Sequence, residues 1–498
     1  MSDNPHVHGG WESYSVVVPT KHPNKGGQLP AEDVEGRALT KENMGQPNLC
    51  RTPSRESRPS GLDRVREVAK GNGKLRFTAL LHHVTVDLLR SSYHKLKKGA
   101  APGVDGVTWQ EYGRDLEARL SDLHGRIHRG AYRARPSRRV WIPKADGRQR
   151  PLGIAALEDK IVQHAVGTVL NQIWEEDFLG FSYGFRPGRN QHNALDALYV
   201  GITRRKVNWV LDLDIRAFFD RIEHAWMIKF VEHRIGDRRI VRLIQKWLKA
   251  GVMEQGRWIE TEQGTPQGSV ISPILANLYL HYVLDLWVDQ WRRKKAAGDV
   301  IIVRYADDAV LGFQYRAEAE QLLEQLRERL AKFGLELHPE KTRLIEFGRY
   351  AAKRRKEHGE RRPETFNFLG FTHICGTNQG TGYFVIHRKT MSKRMAAKLK
   401  EIRATLRQRL HQSLAETIRW LQTLVRGYFQ YHAIPGNEVR LKAFRHEVLR
   451  LWMRQLRRRS QRSGWTWERF LERLGVLIPE VRILHPYPSV RFAATHPR

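Results

Sequence analysis

Cysteine is nearly absent from this 498-residue chain, which carries only Cys50 and Cys375. Two thiols exclude a disulfide framework and any four-cysteine zinc site. Acidic residues are also outnumbered, 53 Asp and Glu against 86 Lys and Arg, which leaves a formal charge of +33 and a sequence pI near 10.4. That balance excludes basic and neutral surfaces as the main partner and favours a polyanion, because Lys and Arg that neutralise phosphates release condensed counterions. Long apolar runs are missing too. No stretch reaches the roughly 18 residues a membrane span needs, and Met1-Ser2-Asp3-Asn4-Pro5-His6 lacks a cationic region leading into an apolar one. The sequence therefore predicts neither secretion nor insertion in a membrane, and it places the chain in the cytoplasm. No internal repeat is visible.

What is present is a substantial core. Hydrophobic residues make up 41% and aromatics 9%, with 14 Trp, 18 Phe and 15 Tyr, too much apolar bulk for a disordered basic tail. Residues 1–73 are rich in Pro, Gly, Asn and charge and read as a loosely ordered basic arm. From Lys74, Phe77, Leu80, Leu81, Val84, Leu88 and Leu89 recur at helical spacing. Between Trp141 and Phe371, short apolar strands alternate with helical stretches. One helix is marked by Ser272 as a cap, Pro273 in the first turn, and Leu275, Leu278, Tyr282 and Leu286 along one face. After about Arg388 the pattern turns helical and basic: residues 385–476 hold 22 Lys and Arg against 6 Glu and no Asp, a balance of +16. Residues 477–498 form a Pro-containing tail.

The sharpest local feature is Arg304-Tyr305-Ala306-Asp307-Asp308-Ala309, set between the apolar runs Ile301 to Val303 and Val310 to Phe313. Two adjacent carboxylates at a strand-turn-strand tip repel each other until a hard divalent cation sits between them. For an isolated pair, a solvated turn is the preferred reading. A further acid alters the balance: Asp214, at the end of another apolar strand, lies 93 residues earlier. Two-metal phosphoryl transfer requires carboxylates from separate strands. Asp212 and Asp220 compete for the role of Asp214, and strand alternation puts Asp212 and Asp214 on one face, so periodicity does not choose.

Tyr305-Ala306-Asp307-Asp308 resembles the active-site signature of reverse transcriptases, and the surrounding blocks resemble those of group II intron-encoded reverse transcriptase/maturases in the same order. They are Lys98 to Thr108, Ile142 to Ile154, Tyr183 to Arg189, Asp214 to His224, Gly264 to Pro273, Leu337 to Thr342 and Phe368 to Phe371. The resemblance spans roughly Lys98 to Arg473. It implies an α+β right-hand polymerase, with fingers and a palm built on a mixed or antiparallel sheet at 74–384. An all-helical thumb, or maturase domain X, would occupy 385–476.

The resemblance further implies that Asp214, Asp307 and Asp308 are catalytic and hold two Mg²⁺ ions with the carbonyl of Ile215. Lys144, Arg150, Phe219, Gln267 and Lys341 would form the nucleotide site. Phe219 would exclude a ribose 2′-hydroxyl, and Lys341 would protonate the leaving pyrophosphate. Arg394, Lys398, Arg407, Arg426, Arg454, Arg457, Arg458 and Arg459 would bind RNA, and Leu424 to Tyr431 resembles the central motif of domain X.

The implied function is copying of intron RNA into DNA during retrohoming, together with assistance to splicing. Partners would be the intron RNA, an RNA template with a DNA or RNA primer, deoxynucleotides and target DNA, with no membrane. The setting would be a cytoplasmic, nucleoid-associated ribonucleoprotein. With no Cys after Cys375, the zinc-dependent His-Asn-His endonuclease of many relatives is not expected. The rivals are a retron or defence reverse transcriptase, an RNA-binding maturase that no longer polymerises, and an RNA-dependent RNA polymerase, for which a smaller group than Phe219 would be expected.

Overall fold

The computed structural model describes residues 61–143, 149–265, 268–361, 363–459 and 464–495. Three sheets organise them. The palm sheet has the order β6-β7-β3-β8, with β3 at Trp209–Asp214, β6 at Val300–Tyr305, β7 at Asp308–Phe313 and β8 at Arg343–Glu346. Every pairing in it is antiparallel. The mixed sheet lies in the fingers instead: β1 (Ser137–Pro143) pairs antiparallel with β2 (Gln149–Ile154) and parallel with β4 (Val252–Glu254), which pairs with β5 (Arg257–Ile259). A third sheet, β9 (Phe366–Phe368), β10 (Phe371–Thr377) and β11 (Phe384–Thr390), leads into the helical region.

Strand alternation explains the palm. Leu211 and Leu213 of β3 join the large core with Ala309 and Leu311 of β7, while Val210, Val303 and Val310 join a second core on the opposite face. Both faces are covered along most of the strands, as their near-continuous apolar sequences require. On the second face, however, the apolar positions give way to Asp212, Asp214 and Asp308 toward one end, so the sheet finishes in an acidic rim.

Helices pack around this frame: α1 (Gly61–Gly71), α2 (Leu157–Asp177), α3 (Gln191–Arg204), α4 (Arg238–Lys249), α5 (Ser272–Leu280) and α6 (Leu286–Lys295). Asp237 shows how locally they are fixed. Its carboxylate accepts from the Arg239 guanidinium, caps α4 at Arg239 N and accepts from the amides of Leu80 and Leu81, and these bonds, the guanidinium's first, draw its pKa down to about 2 despite burial. Between α5 and α6 the helix makes a π turn, His281–Asp285. Ser272 is the first residue of α5 and Ile271 precedes it as the cap, with Pro273 in the first turn as the sequence suggests.

The helical region opens at Ser392, so the expected division at 384/385 falls inside β11. It contains α7 (Ser392–Gln408), α8 (Leu414–His432), α9 (Glu438–Arg459) and α10 (Trp467–Arg473). Ile402, Leu406, Leu421, Val425, Phe429, Phe444 and Trp452 give it a core of its own. Two segments are more ordered than their composition suggests. Residues 61–71, inside the expected loose arm, form α1, whose Arg66 pairs with Glu176 of α2 at 2.9 Å; residues 1–60 lie outside the described part. The C-terminal tail ends in a helix, α11 (Pro488–Thr495), docked on α3. There Arg491 pairs with the buried Asp196, Tyr487 meets Tyr199 at 2.6 Å, and His485 stacks on His192.

Candidate active site

Register brings the acids together. Asp214, the last residue of β3, pairs directly with Asp308, the first of β7, while Asp212 pairs with Val310 on one side and Arg343 on the other. Asp307 sits in the two-residue turn between β6 and β7, after Ala306 at φ +57°. A tight hairpin needs positive φ at that first turn position. Asp214 is held from its other side too: its carbonyl accepts from His338 N at 2.8 Å, and Ile215 bridges to Leu337. Asp220 is exposed beyond the turn after β3, away from this pairing.

Burial, with neighbouring acids behind it, raises the pKa of Asp307 and Asp308. Burial comes first for Asp308, followed by the charges of Asp307, Asp214 and Asp212, and together they push its carboxyl up to about 7. The side chain itself is exposed to solvent, so its desolvation comes from the protein mass packed around and beneath it. Asp307 is raised for the same reasons, burial and then Asp214, and Asp212 is pushed up to about 6 by burial. Mutually repelling carboxylates gain stability when a cation enters between them.

Opposing charges come from three directions. Lys341 Nζ lies 2.8 Å from Asp214 Oδ2. Arg150 of β2 favours the ionised form of Asp307, and Arg394, in the first turn of α7, does so for Asp308. Among the described residues no three acidic, His or Cys side chains already converge as a cation cage. The donor set nevertheless suits a hard divalent cation: oxygen ligands only, like charges in excess, and an ammonium group occupying Asp214.

Phe219 is half-buried against Phe218, and its carbonyl accepts from Thr265 N at 2.8 Å, which ties the segment after β3 to the start of the Gly264 to Pro273 block. Lys144 and Gln267 lie outside the described residues. Of the basic residues expected to meet RNA, Lys398 pairs with Glu401 at 2.7 Å. Arg407, Arg426, Arg454 and Arg458 are exposed on the helical region. Arg457 donates to Trp465 O at 2.8 Å and Arg459 to Gln412 O at 2.8 Å, so both also brace neighbouring segments. Arg394 is set apart by its influence on Asp308, a coupling invisible in sequence because it joins residues from separate elements. Asp212 was legible as an acid on the same face, and its place beside the pair follows from register.

A family model for reverse transcriptase (RNA-dependent DNA polymerase) matches residues 142–373. Among curated proteins, Protein YkfC of Escherichia coli K12 is 36% identical over 306 residues, covering 53% of this chain and 80% of YkfC. Group II intron-encoded protein LtrA of Lactococcus lactis subsp. cremoris is 33% identical over 238 residues, covering 47% of this chain and 39% of LtrA. The putative COX1/OXI3 intron 1 protein of Saccharomyces cerevisiae is 27% identical over 308 residues, 52% of this chain and 36% of that protein. The chain thus spans most of YkfC but well under half of the two intron proteins. No helix among the described residues is long and apolar enough to cross a membrane. The palm signature, the antiparallel sheet that carries it and these relatives make the chain a member of the group II intron-encoded reverse transcriptase/maturase family, RNA-directed DNA polymerases that use divalent metal ions and act on RNA.

Proposed function

We propose that this protein extends a DNA or RNA 3′-hydroxyl with deoxynucleotides opposite its parent intron RNA, and that its helical region holds that RNA to assist splicing. The observation that carries the polymerase reading is the pairing of Asp214 with Asp308 across β3 and β7, with Asp307 in the adjoining turn. Two Mg²⁺ ions held by Asp214, Asp307, Asp308 and the Ile215 carbonyl would supply charge neutralisation to the attacking and leaving oxygens. The chain's own residues do the rest. Lys144 and Arg150 would receive the triphosphate on the fingers side, Gln267 would line the nucleotide pocket, and Phe219 would close the space a 2′-hydroxyl needs. Lys341, whose Nζ lies 2.8 Å from Asp214 Oδ2, would release that carboxylate and turn to the leaving pyrophosphate as general acid. The exposed Arg407, Arg426, Arg454 and Arg458, with the half-exposed Lys398, would track phosphates of the intron, with target DNA as a further partner in a ribonucleoprotein inside the bacterial cell.

Primer extension on an RNA template tests the palm. Asp307→Asn should lower the rate by about a thousandfold or more, because a lost metal ligand removes several kcal/mol of transition-state stabilisation. Filter binding of intron RNA should be unchanged. Extension at near wild-type rate would remove Asp307 from the active site.

A further inference from the structure

Directly behind the acidic rim, on the other face of the palm sheet, lies a charged pair that no nucleotide or cation reaches. Arg304 of β6 is fully buried, and so is Asp285, the last residue of the π turn between α5 and α6. The guanidinium meets the carboxylate fork to fork, Nε to Oδ1 at 2.7 Å and Nη2 to Oδ2 at 2.5 Å. Its remaining donors go to Ser182 Oγ at 2.7 Å, Asn277 Oδ1 at 3.1 Å and the carbonyl of Ala306 at 2.8 Å. All five N–H groups of the arginine are therefore used.

The last contact is the informative one. Ala306 precedes Asp307 and holds the left-handed φ of +57° that lets the hairpin turn, a conformation that strains any residue with a Cβ. Arg304 thus reaches around its own strand and fastens the carbonyl of the turn that presents Asp307 and Asp308. The turn is clamped from a second side by residues 181–184. Arg304 N donates to Phe181 O, Tyr183 N donates to Arg304 O, and a side chain at Gly184 would collide with the backbone of Ala306. Asn277 ties the two sides together, donating to Gly184 O at 2.6 Å while accepting from Arg304.

The π turn explains how Asp285 arrives there. A π turn adds a residue to the helix and rotates everything beyond it, so Asp285 faces Arg304 from a helix whose neighbouring positions are apolar core. A buried ion pair is weak ground for stability, since apolar residues of similar volume often replace one at no loss. Its geometric product here is a fixed turn.

We propose that Arg304 and Asp285, with Asn277 and Ser182, are positioning residues for nucleotidyl transfer: they lock the Ala306 carbonyl and so set the position of Asp307 and Asp308 relative to Asp214. This inference rests on the reading of those three acids as cation ligands. A turn released from the lock would still carry its acids, but displaced, and reacting groups tolerate little displacement.

Two variants test it. Arg304→Lys keeps the charge but loses the planar fork. The double variant Arg304→Met with Asp285→Leu replaces the pair by apolar bulk and keeps the core filled. The expected results are kcat lower by about tenfold or more, KM for deoxynucleotide within about twofold, and intron RNA binding unchanged. Mn²⁺ binding to the protein alone, followed by electron paramagnetic resonance without nucleotide or primer, should weaken by about threefold or more. Melting temperature reports folding separately. Unchanged Mn²⁺ affinity, with activity falling only as the folded fraction falls, would overturn the positioning role and leave a structural pair. Asp307→Asn and Asp308→Asn run alongside: unchanged Mn²⁺ affinity in both would overturn the ligand assignment itself, and the inference with it. Loss of affinity in those two but not in the Arg304 variants would overturn the inference alone.

Discussion

Charge is used in opposite ways in the palm and in the helical region. In the palm few charges matter, and each has an assigned neighbour: Asp214 faces Asp308, Lys341 sits on Asp214, and Arg304 spends every donor behind the turn. In the helical region the charges are many, mostly of one sign, and mostly exposed, as at Arg407, Arg426, Arg454 and Arg458. Exposed arginines facing a polyanion act through their sum, because each phosphate neutralised contributes a similar increment of counterion release. Desolvated groups act through position, since moving or removing one leaves its partners uncompensated. Single substitutions should therefore be severe in the palm and graded in the helical region.

After Asp307→Asn, the largest effect that would sharpen this contrast comes from changing Arg407, Arg426, Arg454 and Arg458 together to Gln. Intron RNA affinity should fall on the order of 100-fold at physiological salt, and the slope of log affinity against log salt should flatten by about 3. Extension of a preformed primer-template at saturating concentration should be little changed. Arg458→Gln alone should cost about threefold in affinity, and a single change that equals the set would break the comparison.

Next in size is Phe219→Ala. Discrimination against ribonucleotides should drop by about tenfold or more, the scale of a lost steric contact in a pocket. Competitive incorporation measures it, and unchanged selectivity would return Phe219 to the core.

The smallest expected effect is on stability. The Asp308 carboxyl is raised to about 7 in the folded protein, first by burial and then by its acidic neighbours, against ~3.9 unfolded. Ionised Asp308 therefore costs folding free energy. The cost is absent below pH ~4, grows as pH rises toward 7, and is complete above it. Asp308→Asn should stabilise the protein by ~1 kcal/mol at pH 8 in a chelator, a figure reduced for the solvent that reaches the side chain. The gain should vanish below pH 4. Thermal melts across that range check it, and a destabilised Asn variant at pH 8 would contradict the repulsion.

The amino-acid sequence was a good guide where chemistry is local. The acids at 307 and 308 stand at a turn between apolar runs, and alternation along β3 puts Asp212 and Asp214 on one face. Which of the two sits opposite Asp308 is set by register, which pairing across the sheet supplies and no strand contains. Arg304 was visible as a lone charge ending an apolar run, but its partner Asp285 was not. Helical spacing from Ser272 to Leu286 reads as one continuous face, and the π turn at His281–Asp285 shifts that phase. The docked C-terminal helix escaped for a similar reason, since Arg491 and Asp196 are 295 residues apart.

One feature of the helical region has a mechanical consequence. Its bonds to the rest of the molecule gather at the end of α8: Tyr431 to Leu369, Asn437 to Thr390, the Tyr431 carbonyl to His192, and the Gln430 carbonyl to His485. The opposite end, where Arg459 bonds Gln412, is fastened within the helical region. The bundle is therefore a cantilever about as long as α8, whose 19 residues extend ~28 Å at ~1.5 Å per residue. A tilt of roughly six degrees at the riveted base carries the tip through about 3 Å over that length. In the proposed complex, such a tilt would let the arginines near the tip follow the contour of an RNA helix while the acids beside the base stay fixed.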